Sequence, residues 1–259
     1  MKIHPLDGNP DGKKTGFWDV FSETYTSEPQ GNMPGRIAEW LFDIGVLNPG
    51  SDVLEIGSGP GTYSFPFAAV SKSVTCLDSS AGMLKRLRET ADSEGIGNVE
   101  TMNVDWDSFN PGRRWDVVAA TLCSFMGTPE SLDKMDSLAG NNCVMVSWIR
   151  NHNDDLQNEI WAGLGKEYSF ADRKTDNITE ILESTGRVFE NKVFSDRVRT
   201  ELSIGEAVKR NASTYSVFGL EDEARGIAER IIEERSVDGV YVLEAENVLR
   251  VNVWSPLKR

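Results

Sequence analysis

The sequence predicts an α/β protein with a mostly parallel sheet and helices on both of its faces. Two observations carry that expectation. Between Asp52 and Ile149, short apolar runs alternate with stretches of helical periodicity, and the first run ends in three closely spaced glycines. Strand, helix and strand repeated at this spacing is the signature of parallel crossover units wound on both sides of a sheet. The composition agrees: 39% hydrophobic and 26% charged residues in 259 are ordinary for a globular chain that needs no disulfide or metal staples.

In chain order, residues 1–16 are polar and rich in Gly, Pro and Lys, and are expected to be loosely ordered. Phe17–Tyr25 and Pro34–Val46 read as helices; in the second, Ile37, Trp40, Leu41 and Ile44 recur at helical spacing. The turn residues Asn48-Pro49-Gly50-Ser51 close it. DVLEI (52–56) is a buried strand, 61–71 a helix, and SVTCL (73–77) the second strand. Ser79 or Ser80 caps a helix running to about Glu94, with Leu84, Leu87 and Ala91 on its inner face. Strands follow at 98–104 and 115–121, a helix at Pro129–Ala139, and a fifth strand at 143–149.

The second half is less regular. Asn151–Asp176 mixes polar residues with Trp161, Tyr168 and Phe170 and reads as helix and loop. Ile178–Thr185 reads as a helix, Arg187–Leu202 as a sixth strand, 204–216 and 221–235 as helices, and 240–254 as a seventh strand. No internal repeat appears.

Charge and cysteine content exclude several classes. With 41 acidic against 27 basic residues, the chain carries −14, which disfavours non-specific contact with nucleic acid or anionic membrane. No run of Lys or Arg builds a basic groove. Cys76, Cys123 and Cys143 form no CxxC pair and fall in apolar stretches, so they read as buried small hydrophobes of a reducing compartment. Two histidines are too few for a histidine metal site, and no metal is expected. The N-terminus lacks a signal-peptide h-region. The longest apolar run, near Val117–Met126, falls well short of the roughly 18 residues of a membrane span, so a cytoplasmic, membrane-free protein is expected.

The sharpest motif is Val53-Leu-Glu-Ile-Gly-Ser-Gly-Pro-Gly-Thr62. Glycines at 57, 59 and 61 sit where a strand turns into a helix; they tolerate unusual backbone angles and let a ligand lie against the main chain. A tight turn with no ligand is the other reading of the glycines alone. Asp78 closes the second strand, where an acid can accept both hydroxyls of a ribose. Asp105 follows the third beside Trp106, and an acceptor next to a flat apolar ring suits adenine. Singly, either acid reads as a cap or a solvated loop residue; together, glycine, acid and acid at three successive strand ends read as a nucleoside site. A dinucleotide loop needs its third glycine at position 62, which is Thr62 here.

On these motifs the chain resembles the class I S-adenosylmethionine-dependent methyltransferases, notably the small-molecule type 11/12-like branch. ExGxGxG, CLDSS, NVDW and WDVVAAT each resemble one of their motifs, and the resemblance covers roughly residues 36–150. It implies a Rossmann-like seven-stranded sheet with an inserted helical lid. The expected divisions are 1–30, an N-terminal segment with a flap helix; 31–150, the S-adenosylmethionine-binding core; 151–239, a helical insertion with the sixth strand; and 240–259, completing the sheet. By the same resemblance Gly57, Ser58, Gly59 and Gly61 line the methionine moiety, with Glu55 beneath them. Asp78 and Ser79 serve the ribose, Met83 and Trp106 flank adenine, and Asp105 accepts its amine. Thr121 faces the sulfonium and Tyr25 of the flap covers the cofactor. Met83 reads equally as core, and Trp18 and Tyr25 as a packed helix stripe.

Methyl transfer from a sulfonium is a displacement on an activated donor, so no fixed catalytic motif is expected. The acceptor is expected over the carboxyl ends of strands four and five, near Thr121–Phe125 and Trp148–Asn153. His152 is the one histidine in that zone and the single candidate base. A small-molecule acceptor under a lid is the first reading, with a possible homodimer; a protein or RNA acceptor, or a non-catalytic nucleoside-binding module, are the rivals. Calorimetry with S-adenosylmethionine, S-adenosylhomocysteine and NAD discriminates the cofactor classes.

Overall fold

The computed structural model describes residues 2–3, 18–19, 21–23, 25, 31–123, 125–151, 154–168, 178–213 and 215–257. His152 lies outside the described residues, as does most of the 1–16 stretch. The chain divides into two compact units. One comprises Asn32–Ile149, Lys174–Ser195 and Val248–Arg259; the other comprises Met1–Gly31, Arg150–Arg173 and Asp196–Asn247.

The first unit is built around the sheet. Its elements are α1 (Met33–Asp43), β1 (Asp52–Ile56), α2 (Ser64–Val70), β2 (Ser73–Asp78), α3 (Ala81–Glu94), β3 (Val99–Asn103), β4 (Trp115–Thr121), α4 (Pro129–Leu138), β5 (Ala139–Asn151) and α6 (Ile178–Ser184). The long strands β6 (Phe189–Ser203) and β7 (Val240–Trp254) contribute their outer halves to it, so the sheet has seven strands in the order β3-β2-β1-β4-β5-β7-β6. The β1–β2, β2–β3, β1–β4 and β4–β5 pairs are parallel. The predicted Rossmann-like, mostly parallel α/β sheet is therefore the observed fold.

Side-chain alternation along the central strands divides the core into two layers. Val53, Val117, Ala119, Val144 and Val146 face α1, α2 and α3, where Ile37, Leu41, Phe67, Leu84 and Leu87 are buried. Leu54, Ile56, Val118, Ala120, Cys143 and Met145 face α4 and α6, against Leu132, Met135, Ile178 and Leu182. Strands buried on both faces read as continuous apolar runs, which is why they were visible in the sequence. The chain winds outward from β1 through β2 to β3, then returns to place β4 on the other flank of β1. That reversal opens a crevice at the carboxyl ends of β1 and β4, where open α/β sheets bind ligands.

Several predicted boundaries shift. The helix expected over 61–71 is α2 and starts at Ser64, because Gly61 has φ +96 and cannot lie in a helical turn. The fifth strand starts at Ala139, four residues before the apolar run at 143. Its polar first residues pair through the backbone, with Ala139 opposite Trp115 and Asn142 opposite Val117 across a register shift.

The second unit buries Leu156, Ile160 and Trp161 of α5 (Asp154–Gly163) with Ala207 and Val208 of α7 (Ile204–Ser213). Ala224, Ala228, Ile231 and Ile232 of α8 (Glu221–Arg235) complete that cluster with Tyr241 and Leu243. Lys2–Ile3 and Glu167–Tyr168 pair as a separate two-stranded parallel sheet. Trp18, Phe21 and Tyr25 stack edge to face in succession. Among the described residues no helix is long and apolar enough to cross a membrane, and no acid, His and Cys group could hold a metal.

Candidate functional site

The parallel register aligns the strand ends that carry the motif residues. Ile56 pairs with Leu77 and with Ala120, and Asp78 pairs with Asn103. Glu55, the 57–61 loop, Asp78, Ser79, Asp105 and Thr121 are thereby gathered on one edge of the sheet.

The three loop glycines all have positive φ, +67, +54 and +96 at Gly57, Gly59 and Gly61, but their surroundings differ. A Cβ on Gly57 would lie 2.1 Å from Cys123 Sγ, and one on Gly61 would lie 2.6 Å from the Phe65 ring. A Cβ on Gly59 would meet no atom of the described residues within 4 Å. Packing within the protein accounts for the outer two glycines; the middle one presents bare backbone to open space. The loop is fastened below by Gly57 N–H and Ser58 N–H, which donate to Leu77 O at 2.7 and 3.1 Å. Ser58 Oγ and Thr62 Oγ1 are buried and have no hydrogen-bond partner among the described residues. A buried hydroxyl left unpaired costs about 1–3 kcal/mol, so a polar ligand or water at this loop relieves a real penalty.

Glu55 is fully buried beneath the loop. Its Oε1 accepts from Thr121 Oγ1 at 2.6 Å and its Oε2 from Ser64 Oγ at 2.5 Å. Burial is the main cause that pushes its carboxyl up to about 7; the two hydroxyl donors oppose the shift and the Asp78 charge adds to it. Thr121, expected to face a sulfonium, turns its hydroxyl to Glu55. Ser64 carries no sequence signal for this role, because nothing in a helix start marks which strand it will face.

The raised pKa has a sign. The folded protein holds the Glu55 proton more tightly than the unfolded chain, so this contribution to stability is present below about pH 4.5 and is lost as pH rises through 7. A shift of this size corresponds to about 3 kcal/mol. Glu55→Gln cannot ionise, and the Ser64 and Thr121 hydroxyls can rotate to suit its amide. In urea melts the variant is expected to match wild type near pH 5 and to exceed it at pH 8. A stability difference that does not change with pH would remove the assignment.

Asp78 holds the loop as well as ending β2. Its Oδ2 accepts from Gly59 N–H and its Oδ1 from Ser80 N–H, both at 2.8 Å. Of the two candidate caps for α3, Ser80 is the one used: its Oγ accepts from Met83 N–H at 3.1 Å. Ser79 is half-buried and Met83 is buried. Asp105 is exposed, and its Oδ1 accepts from Asp107 N–H at 2.9 Å. Trp106 is buried against Phe109, and the Lys134 ammonium lies 4.3 Å from its ring centroid and donates to its carbonyl. Tyr25 belongs to the other compact unit, where its ring meets Phe21.

Cys123 lies just past the end of β4 and is half-buried, not fully buried as its apolar context suggested. Its thiol donates to Ile56 O at 2.9 Å, and burial pushes it well above the usual thiol range, so it is no nucleophile.

Comparison with known proteins fits this geometry. Residues 53–138 match a family described as a methyltransferase domain. An uncharacterized protein of Haemophilus influenzae is 28% identical over 136 residues, 52% of this chain and 50% of that one, so the match spans about half of that relative. A 23S rRNA (uracil(1939)-C(5))-methyltransferase of Stenotrophomonas maltophilia is 26% identical over 120 residues, 44% of this chain but 27% of its own. The magnesium protoporphyrin IX methyltransferase of Synechocystis PCC 6803, solved with bound S-adenosylhomocysteine, has a TM-score of 0.52 at 16% identity. That superposition covers 92% of this chain and 94% of the other. The Rossmann-like fold is shared with that methyltransferase. The likeness to the methyltransferase-domain family lies in residues 53–138.

Proposed function

We propose that this protein binds S-adenosylmethionine across the ends of β1, β2 and β3 and transfers its methyl group to a small-molecule acceptor, releasing S-adenosylhomocysteine. The observation that carries the reading is the Gly59 backbone, open to ligand and tied by its N–H to Asp78. The orphaned Ser58 and Thr62 hydroxyls fit a polar ligand at the same loop. When bound, S-adenosylmethionine supplies a methyl group already activated by its positive sulfur. The loop backbone holds the amino-acid end, Asp78 the ribose hydroxyls and Asp105 the adenine amine. Orientation and exclusion of water then provide the acceleration. Four curated relatives are rRNA methyltransferases by name, but a charge of −14 opposes a polyanionic acceptor here.

Calorimetry tests the reading: S-adenosylmethionine and S-adenosylhomocysteine are expected to bind and NAD is not. In the same assay Asp78→Ala is expected to weaken S-adenosylhomocysteine at least about tenfold, since hydrogen bonds to a charged acceptor contribute about 1.5–3 kcal/mol. Its melting temperature is also expected to fall, because the Gly59 and Ser80 amides lose their acceptor. Unchanged affinity in that variant would withdraw the ribose assignment.

A further inference from the structure

A lysine from α4 holds the loop that follows β3. Residues 105–109 form one tight turn, in which Asp105 O accepts from Ser108 N–H and Trp106 O from Phe109 N–H, each at 3.2 Å. Trp106 and Phe109 are buried in one cluster with Leu132 and Met135 of α4, which brings Lys134 of the same helix to the turn. Its ammonium lies 4.3 Å from the Trp106 ring centroid, donates to Trp106 O, and donates to Asp107 O at 3.4 Å. Burial lowers the pKa of this ammonium, and the Asp107 and Asp105 charges oppose that shift.

One peptide group links that lysine to Asp105. The Trp106 carbonyl and the Asp107 amide are the two ends of the same planar unit. Lys134 holds the carbonyl end, and the Asp107 N–H at the other end donates to Asp105 Oδ1 at 2.9 Å. A planar peptide cannot turn one end without the other, so the ammonium fixes the direction from which Asp105 is held. A positive charge on the carbonyl also polarises the peptide and strengthens its N–H as a donor. The buried Trp106 and Phe109 rings already pack the turn against α4; the bonds from Lys134 add orientation. Resting on the methyltransferase reading, in which Asp105 accepts the adenine amine, we infer that Lys134 is a positioning residue for the cofactor's base. Through the Trp106–Asp107 peptide it aims Asp105 at that amine, and so sets the preference for adenine over a base without one.

The test compares, by calorimetry on the full chain, S-adenosylhomocysteine with S-inosylhomocysteine, in which a carbonyl oxygen replaces the adenine amine. Wild type is expected to prefer the adenosyl ligand. Lys134→Met keeps a stem against Trp106 and removes the donors. It is expected to raise the Kd for S-adenosylhomocysteine about fivefold and that for S-inosylhomocysteine less than about twofold, so the preference shrinks. Lys134→Arg, whose guanidinium can lie on the ring and donate to both carbonyls, is expected to keep most of the preference. In an Asp105→Ala background Lys134→Met is expected to add no further loss, because the group it positions is gone. Should Lys134→Met not fold, Lys134→Gln takes its place in each comparison. An unchanged preference, an equal loss for both ligands, or the same loss with and without Asp105 reduces Lys134 to a structural tie and overturns the inference. If wild type binds S-adenosylhomocysteine without preferring it, the Asp105 assignment and this inference fall while the methyl-transfer reading stands. If wild type does not bind S-adenosylhomocysteine, both fall.

Discussion

Gly59→Val is expected to abolish S-adenosylhomocysteine binding while the protein still folds. Two effects act together. At φ +54 a β-branched residue meets its own backbone, at a cost of about 1–2 kcal/mol. The added methyls then occupy the space that a ligand would need against the main chain, where no other described residue lies within 4 Å of a Cβ. The neighbouring glycines respond differently. Gly57→Ala would drive its Cβ onto the Cys123 thiol, 2.1 Å away, so its main expected effect is lower stability and a displaced loop. Calorimetry and thermal melts of both variants separate the roles. A Gly59→Val protein with wild-type affinity would mean that the loop is a plain strand-to-helix turn.

Asp136→Ala is expected to destabilise the sheet unit strongly. The Arg187 side chain is fully buried, and its Nε and Nη2 donate to Asp136 Oδ2 at 3.1 and 2.9 Å. Trp254 Nε1 donates to Asp136 Oδ1 at 2.7 Å, so one carboxylate ties α4 to the turn after α6 and to the end of β7. Removing it leaves a buried guanidinium and an indole N–H without their acceptor. Breaking a buried pair from one side costs about 3–5 kcal/mol. The Asp133 contact at 2.7 Å and the bond donated to Thr185 Oγ1 at 2.6 Å keep two partners for Arg187, which favours the lower end. Replacing both residues, as in Asp136→Leu with Arg187→Met, is expected to recover much of the loss, because no uncompensated charge remains. Urea denaturation of the single and double variants is the measurement. A single-variant loss well below 1 kcal/mol would show that the network carries little.

The sheet was legible wherever burial on both faces forced a continuous apolar run. DVLEI, SVTCL and WDVVAAT each occupy the strands expected of them, within a residue. It was not legible at the start of β5, where Asn142 stands opposite Val117 beyond a register shift and the Asn141 amide donates to Asp116 Oδ1, contacts that no apolar run announces. The candidate site was legible where a residue type is chemically obligatory, as at the glycines and at Asp78. The partners of Glu55 were not, because Ser64 and Thr121 reach it from α2 and β4, and no local spacing encodes that meeting.

The sequence by itself determined the fold class, the glycine loop and the acids at successive strand ends. Those properties depend on periodicity, backbone permissiveness and charge, all local to a few residues. Tertiary structure alone decided which loop glycine faces open space, that Asp78 also holds the Gly59 amide, and that Asp136, Arg187 and Trp254 share one buried carboxylate. Each is a contact between segments far apart in the chain. Its geometry follows from strand order and side-chain packing, which exist only once the sheet has assembled.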